Sequence, residues 1–199
     1  MNPKPALFID FDGTLCHDRF WRSLPHEPYE KIQTLLFGDD RQMINDWMFG
    51  GYTSEQVNEL VSREINFPYQ ELWDVFVEDC KTMNVSTQTL EKIGKLKSEF
   101  QTVLITGNMD CFDRFTVPSL HLNKYFDKIA NSYTEKRFKS DQNGASFTKV
   151  LNEMGAGVGK SIVIDDSPKT CEVFTGLGGI AYLIGSDKDV DYYLDRITT

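Results

Sequence analysis

Ala6-Leu7-Phe8-Ile9-Asp10-Phe11-Asp12-Gly13-Thr14 is the stretch on which the reading of this chain turns. Its unbroken apolar run suits a strand buried on both faces of a parallel sheet better than a half-exposed strand, which alternates. Three further runs have the same character: TVLIT at 102–106, SIVID at 161–165 and GIAYLI at 179–184, with a weaker one at 128–131. Helical patterns lie between them. Residues 86–100 place Leu90, Ile93 and Leu96 at helical spacing with Ser86 positioned as N-cap, and Phe147, Val150, Leu151 and Met154 form one stripe. Residues 187–197 read as a last helix. Strand and helix alternate through the second half of the chain, which predicts an α/β fold with a doubly wound parallel sheet.

Residues 17–85 break this alternation. They hold four helix-like patterns and no convincing strand, so they read as a helical insertion after the first strand. Thr53-Ser54-Glu55-Gln56 is a capping-box sequence, and Pro68 separates the helix it opens from the next. The insertion carries Trp21, Trp47 and Trp73, read as packing residues, and has 13 acidic against 6 basic residues. The whole chain has 199 residues and a formal net charge of −9, a poor match for the phosphate backbone of nucleic acid or for anionic lipid. With 40% hydrophobic residues it falls in the globular class, and no apolar run approaches the roughly 20 residues that span a bilayer. The opening Met-Asn-Pro-Lys-Pro is not a signal-peptide pattern, so the expectation is a cytoplasmic protein with no membrane or nucleic-acid partner. Cys16, Cys80, Cys111 and Cys171 lack metal-ligand spacing and are expected as reduced, apolar thiols.

Asp10 and Asp12 fall where the first strand ends, and ligands of open α/β sheets bind at those carboxyl ends. In extended backbone, residues two apart point the same way, so both acids can face one reacting group. Two acids at the end of an apolar strand are costly unless a cation or protons compensate them.

Asp10-Phe11-Asp12-Gly13-Thr14 resembles the DxDGT first motif of the haloacid dehalogenase superfamily, and its other motifs follow in order. Leu104-Ile105-Thr106-Gly107-Asn108 is similar to the second motif, a Ser or Thr after a hydrophobic strand. Ile164-Asp165-Asp166-Ser167-Pro168 is similar to the fourth, an acidic pair after another strand. The third motif is a lysine. Lys139 follows Phe126-Asp127-Lys128-Ile129 at the right remove but lacks the usual Gly-Lys-Pro setting; Lys149 is its competitor and Lys136 a third. The resemblance implies a Rossmann-like core over residues 1–16 and 86–199 and a helical cap over residues 17–85.

It also implies a Mg²⁺-dependent phosphatase acting on a small phosphorylated substrate through an aspartyl-phosphate. Asp10 is then the nucleophile and Asp12 the general acid and base. Thr106, the backbone amides of Gly107 and Asn108, and Lys139 stabilise the transferring phosphoryl group. Asp10, the Asp12 carbonyl, Asp166 and Asp165, the last directly or through water, supply the all-oxygen shell that Mg²⁺ prefers. An acid two residues after the nucleophile marks the phosphatase and phosphomutase branches and is missing from the dehalogenase branch. A phosphomutase, or a catalytically silent protein that binds a phosphorylated ligand or another protein, are the alternatives. The acidity of the insertion suggests a lid that tolerates a monophosphate or an amine-bearing phosphate better than a triphosphate. Gly155-Ala156-Gly157-Val158-Gly159-Lys160 follows a helix and precedes a strand, the reverse of a nucleotide-binding loop.

Overall fold

Every side chain of β1 (Ala6–Ile9) is shut off from solvent in the computed structural model, which describes residues 4–197. The chain then runs through α1 (His26–Phe37), α2 (Gln42–Met48), α3 (Ser54–Ile65), α4 (Tyr69–Lys81) and α5 (Thr87–Leu96) before β2 (Gln101–Thr106). After β3 (Lys128–Asn131) come α6 (Ala145–Met154), β4 (Ile162–Asp165), α7 (Pro168–Gly176), β5 (Ile180–Leu183) and α8 (Val190–Ile197). All the strand pairings are parallel, in the order β3-β2-β1-β4-β5. The order reverses at β1, so a crevice opens at the carboxyl ends of β1 and its neighbours.

The alternation of β1 divides the core into two layers. Leu7 and Ile9 join Leu104 and Ile164 under α5 and α8, while Ala6 and Phe8 join Val103 and Val163 under α6 and α7. Phe8 meets Phe147 and Phe174 edge-on at 5.1 and 5.5 Å. Burying such side chains contributes roughly 1.5–3 kcal/mol each, and a strand that does so on both faces has no room for a polar position until it ends. β5 departs from the reading as a fully buried strand. It is an edge strand, with Ile180 42% and Leu183 41% exposed, because β4 is its one neighbour in the sheet. The predicted helix over 86–100 stops at Leu96, capped as expected by Ser86, and the last helix begins at Val190 rather than 187. No helix of the described residues is long and apolar enough to cross a membrane.

α1 to α4 occupy the stretch read as a helical insertion. The Thr53–Gln56 capping box is formed in both directions, and Pro68 sits at the N-cap of α4. The rings of Trp21, Trp47 and Phe76 pack on one another, and the cluster around them takes in Met109 and Cys111 from beyond β2. Polar contacts reinforce that junction. Asp110 is buried and accepts hydrogen bonds from Trp47 Nε1 at 2.8 Å, from the Ser54 hydroxyl at 2.7 Å and from Arg114 at 2.8 Å; Arg114 also pairs with Glu55. Residues 110–119 form a helical segment, π-helical over Phe112–Thr116, that the sequence reading leaves unassigned. The four cysteines are buried and unpaired in disulfides.

Asp110→Ala removes the acceptor shared by these donors and strands them under the helices. We expect a loss of about 3 kcal/mol, at the low end for breaking a buried charged network, and a melting temperature lower by roughly 6–12 °C. A loss below about 1 kcal/mol in chemical denaturation would show that the junction rests on the apolar cluster alone.

Candidate active site

The end of β1 is set by chemistry. Asp10 continues the ladder by one residue, its amide donating to Ile164 O at 3.1 Å, and there the chain turns. Phe11 O receives the amides of Thr14, Leu15 and Cys16 at 3.3, 2.8 and 3.0 Å, a turn that requires Gly13 at φ +76°. A Cβ at Gly13 would lie 2.1 Å from Asp166 Oδ2, so the glycine also lets the first turn approach the end of β4.

β2, β1 and β4 are adjacent in the sheet, so Thr106, Asp10 and Asp165 end side by side. Lys139 reaches this row from the loop after β3. Its Nζ lies 2.7 Å from Asp10 Oδ2 and 2.6 Å from Asp165 Oδ2, at 11% side-chain exposure. The loop is held by the Phe138 amide on Asp141 at 3.0 Å and by the Phe138 ring, edge-on to Phe49 at 4.5 Å. Lys149 is on the outside of α6 with Glu135, and Lys136 lies against Gly50 and the Tyr133 ring. Of the three candidate lysines, Lys139 is the one at the carboxylates.

Burial dominates the electrostatics. It pushes the Asp10 carboxyl up, Lys139 pulling it back and Asp165 adding to the rise. Burial acts to lower the Lys139 ammonium, but the charges of Asp10 and Asp165 outweigh it and the net shift is upward. Asp12 is raised by burial to about 6, with Arg19 and then Lys139 opposing the rise, and its Oδ2 accepts from the Asn108 side-chain amide at 2.8 Å. Asp166, the exposed member of the cluster, is raised by desolvation and then by Asp165.

The donor set fits a divalent cation. One oxygen each from Asp10, Asp165 and Asp166 lie within 4.8 Å of one another, near the ~4 Å between opposite ligands of a Mg²⁺ held at 2.0–2.1 Å. Asp10 Oδ1 and Thr106 Oγ1 are buried with no hydrogen-bond partner, and such orphans call for a ligand. Lys139 is the cation in contact with Asp10 and Asp165, and it leaves Asp166 uncompensated beside them.

Two expectations need correction. The Asn108 backbone amide does not face the site: it donates to Asn131 Oδ1 at 3.2 Å and Ser132 Oγ at 3.1 Å, because the chain turns inward there to pack under β3. The Asn108 side chain is what reaches the acids, a role legible only once β2 and β1 are neighbours. The acidity of the insertion as a whole is also not the charge of the wall that faces the site. A cavity of about 240 Å³ lies between Asp12, Gly107 and Asp166 on one wall and Asp18, Arg19, Phe37, Arg41, Ile44 and Met48 on the other. The wall facing the carboxylates includes two arginines, Arg19 from the loop before α1 and Arg41 at the start of α2, against one acid of the segment, Asp18. The i, i+4 pair Asp110 and Arg114 was readable as a helical ion pair, whereas nothing in the sequence brings Asp110 to Trp47.

A family model described as haloacid dehalogenase-like hydrolase matches residues 4–174. The chain belongs to that family. Among solved structures, the hydrolase fold is shared by the HAD family enzyme BT-2542 from Bacteroides thetaiotaomicron, at 18% identity and TM-score 0.75, covering 94% of this chain and 96% of that one. That enzyme is also known in a complex with magnesium and inorganic phosphate, which overlays with TM-score 0.70 at 20% identity over the same shares of the two chains. A predicted HAD-like family hydrolase from Porphyromonas gingivalis matches at 16% identity and TM-score 0.68 over 98% of both chains. L-2-haloacid dehalogenase from Xanthobacter autotrophicus matches at 12% and 0.63, covering 92% of this chain and 80% of its own. No curated protein sequence matches this hydrolase.

Gly13→Ala forces a left-handed backbone onto an L side chain and drives Cβ against Asp166. It is expected to cost about 1 kcal/mol of stability and to weaken Mg²⁺ binding by calorimetry at least tenfold, roughly 1.4 kcal/mol. Unchanged Mg²⁺ affinity would remove Asp166 from the cation site.

Proposed function

We propose that this hydrolase is a Mg²⁺-dependent phosphatase of a small phosphate monoester, acting through an aspartyl-phosphate, with α1 to α4 as the cap over the site. The observation that carries the reading is Asp12: a carboxyl raised to about 6, held by Asn108 on the wall of the cavity and two residues from Asp10. A halide leaves without a proton, since it is the anion of a strong acid. An alkoxide does not, and an acid poised beside the nucleophile serves ester cleavage.

Asp10 attacks phosphorus, forming an Asp–O–P bond as the bond to the ester oxygen breaks, and Asp12 gives its proton to that oxygen. Asp12 then takes a proton from the water that attacks the phosphoryl group, freeing Asp10 and inorganic phosphate. Lys139 and the Thr106 hydroxyl face the phosphoryl oxygens, where charge accumulates. Asp165 acts through Lys139: its Oδ2 holds the ammonium and its Oδ1 is taken by the Ser167 amide at 2.9 Å. Asp10, Asp166 and the Asp12 carbonyl are the residues that would hold Mg²⁺ directly, with Asp165 beside them acting through water. When bound, Mg²⁺ offsets carboxylate charge and polarises a phosphoryl oxygen. The apolar side chains of the helical wall keep bulk water from the phosphoryl group.

Hydrolysis of 4-nitrophenyl phosphate is expected with Mg²⁺, to disappear with EDTA, and to fall below detection in Asp10→Asn. Turnover in Asp10→Asn equal to the wild type would overturn the reading. The leaving group provides a second check: Asp12→Asn should slow hydrolysis of an alkyl phosphate by roughly 10²–10⁴-fold and of 4-nitrophenyl phosphate, whose phenolate needs little protonation, much less. Equal losses on both esters would assign Asp12 to a role other than proton donor.

A further inference from the structure

The wall of the cavity opposite the carboxylates supplies no group that reacts with or holds the phosphoryl centre, yet it carries two arginines against one acid, Asp18. Arg19 and Arg41 line the same space as Asp12 and Asp166. Among the described residues neither guanidinium is within ion-pair distance of a carboxylate: Arg19 Nη1 donates to the carbonyl oxygens of His17 and Asp18, at 3.5 and 3.3 Å. Asp18, Asp40 and Asp46, close to the two arginines in sequence, have other partners, although Asp18 also lines the cavity. Asp18 Oδ2 is 3.4 Å from Arg22 Nε and accepts the Asn84 amide at 2.8 Å. Asp40 accepts the Gln42 amide at 2.9 Å, and Asp46 accepts the Gln42 side chain. By contrast Arg22 and Arg114, outside the cavity, are both paired with carboxylates. Phe37, Ile44 and Met48 line the same cavity, an apolar surface for a short carbon skeleton.

We propose that Arg19 and Arg41 bind a second anionic group on the substrate, a carboxylate or a second phosphate, so that the substrate is a small phosphate ester with an anion at its far end. This deepens the phosphatase reading and rests on it for which end reacts. Guanidinium is suited to the task because its planar fork meets carboxylate or phosphate with paired hydrogen bonds. The cavity, at about 240 Å³, is below the ~300–1,000 Å³ of sites for drug-sized ligands, which favours a skeleton of few carbons. Both arginines are exposed, so the discrimination expected is about three- to fivefold per contact, about tenfold for the pair, rather than the 10⁴ or more of a fully desolvated polar site.

The test compares 3-phosphoglycerate, propane-1,3-diol bisphosphate and glycerol 3-phosphate, which share a three-carbon frame and differ in the far group. With Mg²⁺, kcat/KM on the better of the two anionic esters should exceed that on glycerol 3-phosphate at least tenfold, and which one leads tells carboxylate from phosphate. Arg19→Met and Arg41→Met should each bring the ratio toward one, mainly through KM. Arg41→Glu should reverse it in favour of phosphoethanolamine over 3-phosphoglycerate, a reversal that general damage to the fold cannot produce. Calorimetry with Mg²⁺-loaded Asp10→Asn separates this inference from the phosphatase reading. Tighter binding of an anionic ester than of glycerol 3-phosphate, abolished by adding Arg41→Met, supports the anion site even if no ester is turned over, an outcome that would sink the phosphatase reading alone. Equal binding of all three esters, or a ratio that survives both arginine variants, overturns it.

Discussion

A lysine between two buried carboxylates organises this molecule. Lys139 bridges Asp10 at the end of β1 and Asp165 at the end of β4, at 2.7 and 2.6 Å, where the strand order reverses. Charges this buried are tolerated only when paired, and breaking such a pair is far more costly than the pair is worth. The pairing is incomplete, because Asp166 belongs to the same cluster, Asp12 adds its charge to that of Asp10, and Asp10 Oδ1 has no hydrogen-bond partner. The residual negative charge makes the crevice a place for a divalent cation and, beyond it, for a ligand that brings oxygen atoms of its own.

The helical segment completes the site by shape and by local charge rather than by net charge. Its apolar cluster runs into Met109 and Cys111, and Asp110 ties Trp47 and Ser54 to the segment that follows β2. The cavity wall that α1 and α2 present is therefore placed by residues three to five positions past Thr106. That coupling explains why 13 acidic residues against 6 basic ones gave a misleading picture of the lid. Asp40, Asp46, Glu55 and Asp79 are engaged in bonds outside the cavity, whereas Arg19 and Arg41 line it together with one acid of the segment, Asp18, which is paired with Arg22.

What was legible in the sequence was whatever the chain decides locally. Asp10, Asp12, Thr106, Asp165 and Asp166 each stand out as a polar residue at the end of an apolar run, and a buried strand end is where such residues belong in an α/β sheet. The strands, the caps at Thr53 and Ser86 and the break at Pro68 follow from the same short-range rules. Asn108 was legible as a residue near the site but not as to which of its groups would face it, because that depends on where Asn131 and Ser132 of a later segment sit.

By itself the sequence determined the sheet, the order of its acids and the family to which the chain belongs, since each depends on patterns a few residues long. Tertiary structure alone decided among the lysines, because Lys139, Lys149 and Lys136 lie on one stretch and differ only in what the fold brings to them: Asp10 from 129 positions away, or Glu135 and Gly50 at the surface. It also decided the sign of the charge facing the carboxylates. Net charge is a sum over all directions, whereas a ligand meets only the side chains that the packing of α1 and α2 turns toward it.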